Sequence, residues 1–248
     1  MSKQLLFYQK VVPVSKEQHG EMSVKVTGDY SFAKESNSVP LMAVEFPAAA
    51  AEYAIVFAGT EETVMPVAIL GAKAEENNYV TIDGKWDAKY IPAFVRRYPF
   101  VFSKSEDGSQ FFLCLDEKYP GCNEEGRGER LFDKDGERTQ YLGGVVDFVK
   151  EYQVQFNRTQ AFCSKLKELE LLEPMHAQFG LPSGEKLALT GFMAINRDKL
   201  KALPGDKLAE LAKTDELELM YMHLQSMKNF SAMVERMTAE AGSADEAA

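Results

Sequence analysis

The residues best equipped for chemistry fall in one short stretch, WDAKYIPAFVRRYPF, at residues 86–100. It holds the only tryptophan of the chain, Trp86, with Tyr90, Phe94, Tyr98, Phe100 and the adjacent pair Arg96 and Arg97. Aromatic side chains offer large apolar faces, with a polar handle in Tyr and Trp, and a guanidinium is a planar fork that holds a carboxylate or stacks on a ring. Trp86, Tyr90, Arg96, Arg97 and Tyr98 are therefore candidate contacts for a small anionic or aromatic ligand, or for a protein or peptide partner. A second class of chemistry adds a proton carrier: His223, also a candidate ligand contact, or Asp87 could serve as general acid or base beside a carboxylate held by Arg96 or Arg97, although a hydrogen-bonded structural role is the commoner one for such a histidine. The same residues also make sense as architecture. Tyr90 and Phe94 stand four apart, Pro92 suits a first helical turn, Pro99 stops the helix, and a buried arginine is ordinarily paired with an acid at the edge of the core.

Metal and cofactor chemistry find no comparable pattern, and neither is expected. His19, His176 and His223 are far apart and form no HxxxH or HxH pair; Cys114, Cys122 and Cys163 form no CxxC pair and read as reduced thiols. In DKDGE, Asp133 and Asp135 alternate as calcium ligands do. An EF-hand loop, however, needs glycine sixth and glutamate twelfth, whereas Gly136 is fourth and Gly144 twelfth, so an ordinary turn is the reading. No GxxxxGK[ST], GxGxxG or GxSxG occurs, which removes the usual phosphate cradles and the nucleophile elbow. Met220, Met227, Met233 and Met237 could line an adaptable groove, but filling gaps in a core is the usual role of methionine.

Elements that could position the 86–100 stretch flank it on both sides. Runs at 11–14 and 22–26, separated by SKEQHGE, predict two strands joined by a loop and suited to pair with each other. In VEFPAAAAEYAIVFAG, Pro47 and four alanines predict a short helix, and AIVFAG a buried strand. VMPVAILG and NNYVTIDGKW predict further strands, the latter turning at Asp83-Gly84. FVFSKSEDGSQFFLCLD predicts a hairpin that turns at Asp107-Gly108, with Phe100, Phe102, Phe111, Leu113 and Leu115 on its inner face.

From Leu142, apolar residues recur at Val145, Val149, Tyr152, Phe156, Cys163, Leu166 and Leu169, with one polar step at Thr159. That spacing predicts an amphipathic helix of about 30 residues, stopped by Pro174. KLALTGFMAIN predicts a strand with Leu187, Leu189, Gly191, Met193 and Ile195 on one side. Asn196 and Asp206 are suited to cap two short helices, and Leu217, Met220, Tyr221, Leu224, Met227 and Val234 mark one face of a last helix. The fold class is α+β in a single domain spanning 1–248. Its strand-rich part covers about 1–120 and its helical part about 139–240, both on one core, with a flexible tail at 241–248.

A chain of 248 residues, 45% of them apolar, can bury a large core. Its 28 basic and 38 acidic residues give a formal charge of -10, which opposes non-specific attraction to nucleic acid or to an anionic membrane surface. No stretch approaches the roughly 18 consecutive apolar residues of a membrane span, and the first residues lack the apolar core of a secretory signal. These features predict a soluble cytoplasmic protein and leave open export to the cell surface without a cleaved leader.

The 86–100 stretch, followed by FFLCLDE and later by LTGFMAINRDKLKAL and ELELMYMHLQSMKNF, resembles the SapC family of bacterial proteins, over roughly residues 11–237. The resemblance implies a non-enzymatic binding or assembly protein, with surface-layer and peptide-uptake associations. It also implies an alternative: an enzyme, or an accessory to one, acting on a small carboxylate or peptide beside cupin-like oxygenases and flavin-dependent halogenase-like proteins. The family supplies no catalytic residue to carry onto this chain.

Overall fold

The computed structural model describes residues 5–60, 63–105, 110–180, 184 and 186–245. The fold is α+β. Its strands are β1 (Val11–Pro13), β2 (Ser23–Val24), β3 (Ser38–Pro40), β4 (Ile55–Gly59), β5 (Val64–Ile69) and β6 (Phe100–Lys104). They continue with β7 (Phe111–Asp116), β8 (Cys122–Asn123), β9 (Glu129–Arg130), β10 (Leu172–Gly180) and β11 (Lys186–Ile195). The helices are α1 (Lys16–His19), α2 (Phe46–Ala49), α3 (Ala93–Arg96), α4 (Gln140–Glu168), α5 (Arg197–Lys201), α6 (Gly205–Lys213), α7 (Glu216–Ser226) and α8 (Asn229–Asp245).

The antiparallel sheets run β1-β7-β6, β10-β11-β4-β5-β3 and β8-β2-β9. The second joins strands from both ends of the chain. The main apolar cluster is equally shared, running from Phe7 through Phe57 and Phe94 to Phe162 and Met220. Among the described residues, no helix is long and apolar enough to cross a membrane.

The β6–β7 hairpin forms with Phe100 opposite Leu115 and Phe102 opposite Leu113, as its alternation predicts, but Phe111, at the far end of that face, is exposed; the Asp107-Gly108 turn lies outside the described residues. β1 and β2 do not pair with each other. β1 pairs with β7, and β2 lies between β8 and β9, because Ser15 caps α1 through Gln18 N and turns the chain away between them. NNYVTIDGKW forms no strand. Its turn closes a single bridge, Val80 to Trp86, around Gly84 at φ 77.

α4 is the beam against which the other parts pack. Thr159, its polar step, is fully buried: its hydroxyl accepts from Ala43 N at 2.9 Å and donates to Gln155 O at 2.7 Å, bolting the helix to the turn before α2. Thr159→Val, which keeps the shape but orphans the Ala43 N–H, is expected to lower the unfolding free energy by about 2 kcal/mol. Guanidinium denaturation with an unchanged m-value measures this, and a loss under about 0.5 kcal/mol would discard the bolt.

The helix does not run on to Pro174. Glu170 takes the left-handed conformation at φ 52, and Leu171 N returns to Leu166 O at 3.0 Å, which closes the last turn. Pro174 lies in β10, an edge strand, where its missing N–H is tolerated. β10 escapes sequence reading because it is largely exposed and carries little alternation.

In β11 the predicted alternation breaks at Gly191, at φ 79. The pairing slips there by one residue, so Phe192 rather than Met193 continues the Leu187 and Leu189 face against Phe230. Asn196 caps α5 through Lys199 N, whereas at α6 Pro204 takes the capping position and Asp206 the first turn. The last helical pattern is two helices. Asn229 begins the second, its side-chain amide donating to Ala50 O and Tyr53 O; this helix runs to Asp245, and 246–248 lie outside the described residues.

Candidate functional site

Pro92 opens α3 with an extended ψ of 140, and the amides of Val95 and Arg96 then close on its carbonyl. That single turn sends consecutive arginines opposite ways. Arg97 enters the core and is 3% exposed. Its guanidinium lies 4.3 Å from the Phe94 ring centre, 4.7 Å from that of Tyr152 and 6.0 Å from that of Tyr8. Aromatic faces thus hold a desolvated cation, the setting in which such contacts are strongest. Arg96 stays at the surface, where Nε donates to Ile91 O at 2.9 Å and the fork lies over the rings of Phe148 and Tyr90.

Behind Arg96 stands an acid that sequence reading missed. Glu45 is buried, and its carboxylate accepts from Met42 N at 2.8 Å, from Ala93 N at 2.7 Å and from the Tyr90 hydroxyl at 2.7 Å. Burial raises its pKa, partly offset by these bonds and by the charge of Arg96. Its only trace in the sequence is a lone carboxylate in the apolar run AVEFPAAA. Tyr90 therefore links Glu45 to Arg96.

Tyr98 points into an aromatic cluster with Phe32, Tyr8 and Tyr119, and its hydroxyl donates to Asp116 Oδ2 at 3.3 Å. Burial, reinforced by the Asp116 charge, raises its pKa, so it is an uncharged donor. Asp116, fully buried, also accepts from the amides of Gln9, Lys10 and Lys118, which ties the N-terminal segment to the end of β7.

Arg96, Arg97 and Tyr98 meet at a cavity of 590 Å³ walled by Phe100, Tyr119, Tyr141, Val145 and Phe148, with Glu129 the one carboxylate among its lining residues. Burial pushes the Tyr141 hydroxyl up to about 12. The α4 wall is open at Gly144. That glycine has no positive φ, and nothing lies within 4 Å of the place its Cβ would take. Two successive glycines cost a helix about 2 kcal/mol relative to alanine, and packing gives no reason for Gly144. Gly143-Gly144 inside the helical pattern was the signal available in the sequence.

The other candidates lie elsewhere. Trp86 Nε1 donates to the Tyr53 hydroxyl at 2.8 Å, and that hydroxyl donates to Tyr90 O. Asp87 is ion-paired with Arg236 of α8, whose guanidinium covers the Tyr79 ring. His223 is fully buried: Nε2 accepts from Ile195 N at 3.1 Å, and Nδ1 donates to Ile55 O at 2.8 Å. β4 and β11 pair at Phe57 and Met193, so the same register would next place Ile55 opposite Ile195. The imidazole is wedged there and relays the ladder. Burial pulls its pKa down to about 4, which makes it a neutral strut.

Asp133 closes a turn by accepting from the amides of Asp135 and Glu137. Burial pushes the thiols of Cys122 and Cys163 up to about 11 and about 12, away from nucleophilic use. Among the described residues, no group of three or more His, Cys, Asp and Glu could hold a metal ion.

Comparison with curated proteins and with solved structures returns no match. The family model SapC matches residues 14–233, a span that takes in the arginine pair, the cavity lining and the His223 wedge. By that match, covering most of its 248 residues, the chain belongs to the SapC family.

Proposed function

We propose that this protein binds, without transforming it, a ligand that joins an anionic group to an apolar or aromatic body, a peptide terminus included. The ligand sits in the cavity between the arginine pair and α4. One observation carries the reading: a chain of formal charge -10 sets two adjacent arginines, against one lining carboxylate, at an aromatic-walled cavity. Arg96 is held by Ile91 O and Phe148, so little ordering remains for binding to accomplish. The enzymatic alternative would place His223 or Asp87 beside the arginines as a proton carrier. Both ring nitrogens of His223 are engaged by backbone, Asp87 is paired with Arg236, and neither lines the cavity.

The test uses the fluorescent aromatic anion 8-anilinonaphthalene-1-sulfonate as probe. Saturable one-to-one binding is expected. Arg96→Gln should weaken it about tenfold, the worth of one charge-assisted contact. Gly144→Leu, which fills the wall, should abolish it while leaving the melting temperature equal or higher. Dye binding that survives Gly144→Leu would refute this site.

A further inference from the structure

A second cavity, of 560 Å³, is lined by Phe94 and Tyr152, two of the rings against which Arg97 stacks, together with Met65, Val67 and Phe156. Its origin is in the sheet. Among the described residues, β4 and β11 pair at Phe57 and Met193 only; one step beyond, the register would set Gly59 opposite Gly191, and both glycines line this space. The bulge at Gly191 carries β11 away, and nothing lies within 4 Å of the place its Cβ would occupy. So the two strands part over an apolar floor.

The chemistry of this space differs from that of the first cavity. Among the described residues, no charged side chain lines it; its polar side chains are Gln160, Thr60, Thr63 and Tyr152, the two threonine hydroxyls standing 3.1 Å apart. Placing an ionised group against Phe94, Phe156, Met65 and Val67 would carry a desolvation cost that no charge among the described lining residues offsets. An aliphatic chain buries its methylenes there at no such cost, and the hydroxyls and the Gln160 amide suit a neutral head. The volume is within the range of about 300–1,000 Å³ typical of sites for small organic ligands.

We propose that this second cavity is a binding site for an uncharged amphiphile, an aliphatic chain with an alcohol or amide head, distinct from the anion site beside Arg96. The probes are 1-decanol, its carboxylate analogue decanoate and the cationic decyltrimethylammonium, each titrated calorimetrically into the full-length protein. Saturable one-to-one binding of decanol is expected, with decanoate and the cation each weaker by tenfold or more. Ala58→Leu, which enlarges a lining residue, should abolish decanol binding, and Gly144→Leu, which fills the other cavity, should leave it unchanged. If Ala58→Leu does not fold, Thr63→Val decides: removing one rim hydroxyl should weaken decanol about fivefold. Decanoate or the cation binding as tightly as decanol overturns the proposal. So does an absence of saturable decanol binding, or its loss in Gly144→Leu. Because the dye experiment reads the other cavity, failure of one assignment leaves the other standing.

Discussion

Arg97→Ala is expected to lower the free energy of unfolding by about 4 kcal/mol and to show as a large drop in melting temperature. The side chain is almost fully buried, and its guanidinium touches the faces of Phe94, Tyr152 and Tyr8. Desolvated cation–π contacts are worth about 2 kcal/mol or more, and truncation removes them together with the packing of the aliphatic stem. Collapse around the hole is restricted, because Tyr8 is fixed by its bond to Phe100 O at 2.8 Å and Tyr152 lies on the rigid α4. Arg97→Met separates the two contributions. It restores most of the volume without the charge, and replacing a buried charge by an apolar group of similar size is often mild, so a loss of about 1 to 2 kcal/mol is expected. Should Arg97→Ala melt like the wild type while the anionic dye no longer binds, Arg97 would be a ligand contact and not part of the wall.

His223→Phe is expected to cost about 3 kcal/mol at pH 7, since the ring is roughly replaced in volume while Ile195 N–H and Ile55 C=O lose their partner inside the core. It should also change how stability depends on pH. In the folded protein burial holds the His223 pKa near 4, against an ordinary value of 6.5. Between those values the unfolded chain takes up a proton that the folded protein refuses, so the contribution is whole above pH 6.5 and declines as the pH falls towards 4. A displacement of that size corresponds to about 3 kcal/mol. Urea denaturation at pH 7 and at pH 4.5 reads both effects. The variant should lose markedly less stability between the two pH values than the wild type does, and equal acid sensitivity would remove His223 from the account.

Local structure was readable wherever a few adjacent residues carry the instruction. The β6–β7 hairpin follows from alternation around a turn, α2 from Pro47 and the alanines, and the Asn196 cap from one side chain three residues before the amide that donates to it. The misreadings have equally definite causes. Periodicity could not see that Thr159 is a buried bolt, because its partner Ala43 lies 116 residues away. Straight alternation carries the face of β11 through Gly191, and a single bulge inverts it. Of the candidate site, Arg96, Arg97 and Tyr98 were named from residue type alone. Tyr119, Tyr141, Gly144 and Phe148 were not, since they come from other elements and converge only when α4 crosses the end of β6.

By itself, then, the sequence determined the mixed α+β class, the family, the charge balance and the short elements, all of which rest on composition or on neighbours within a few positions. Tertiary structure alone decided which arginine faces water and which faces rings. It also decided that His223 joins Ile55 to Ile195, and that Arg97 lines one cavity while Phe94 and Tyr152, whose rings it stacks on, line another. The physical reason is range: those outcomes depend on contacts between groups as far as 168 residues apart along the chain, and no local period encodes which distant surfaces will meet.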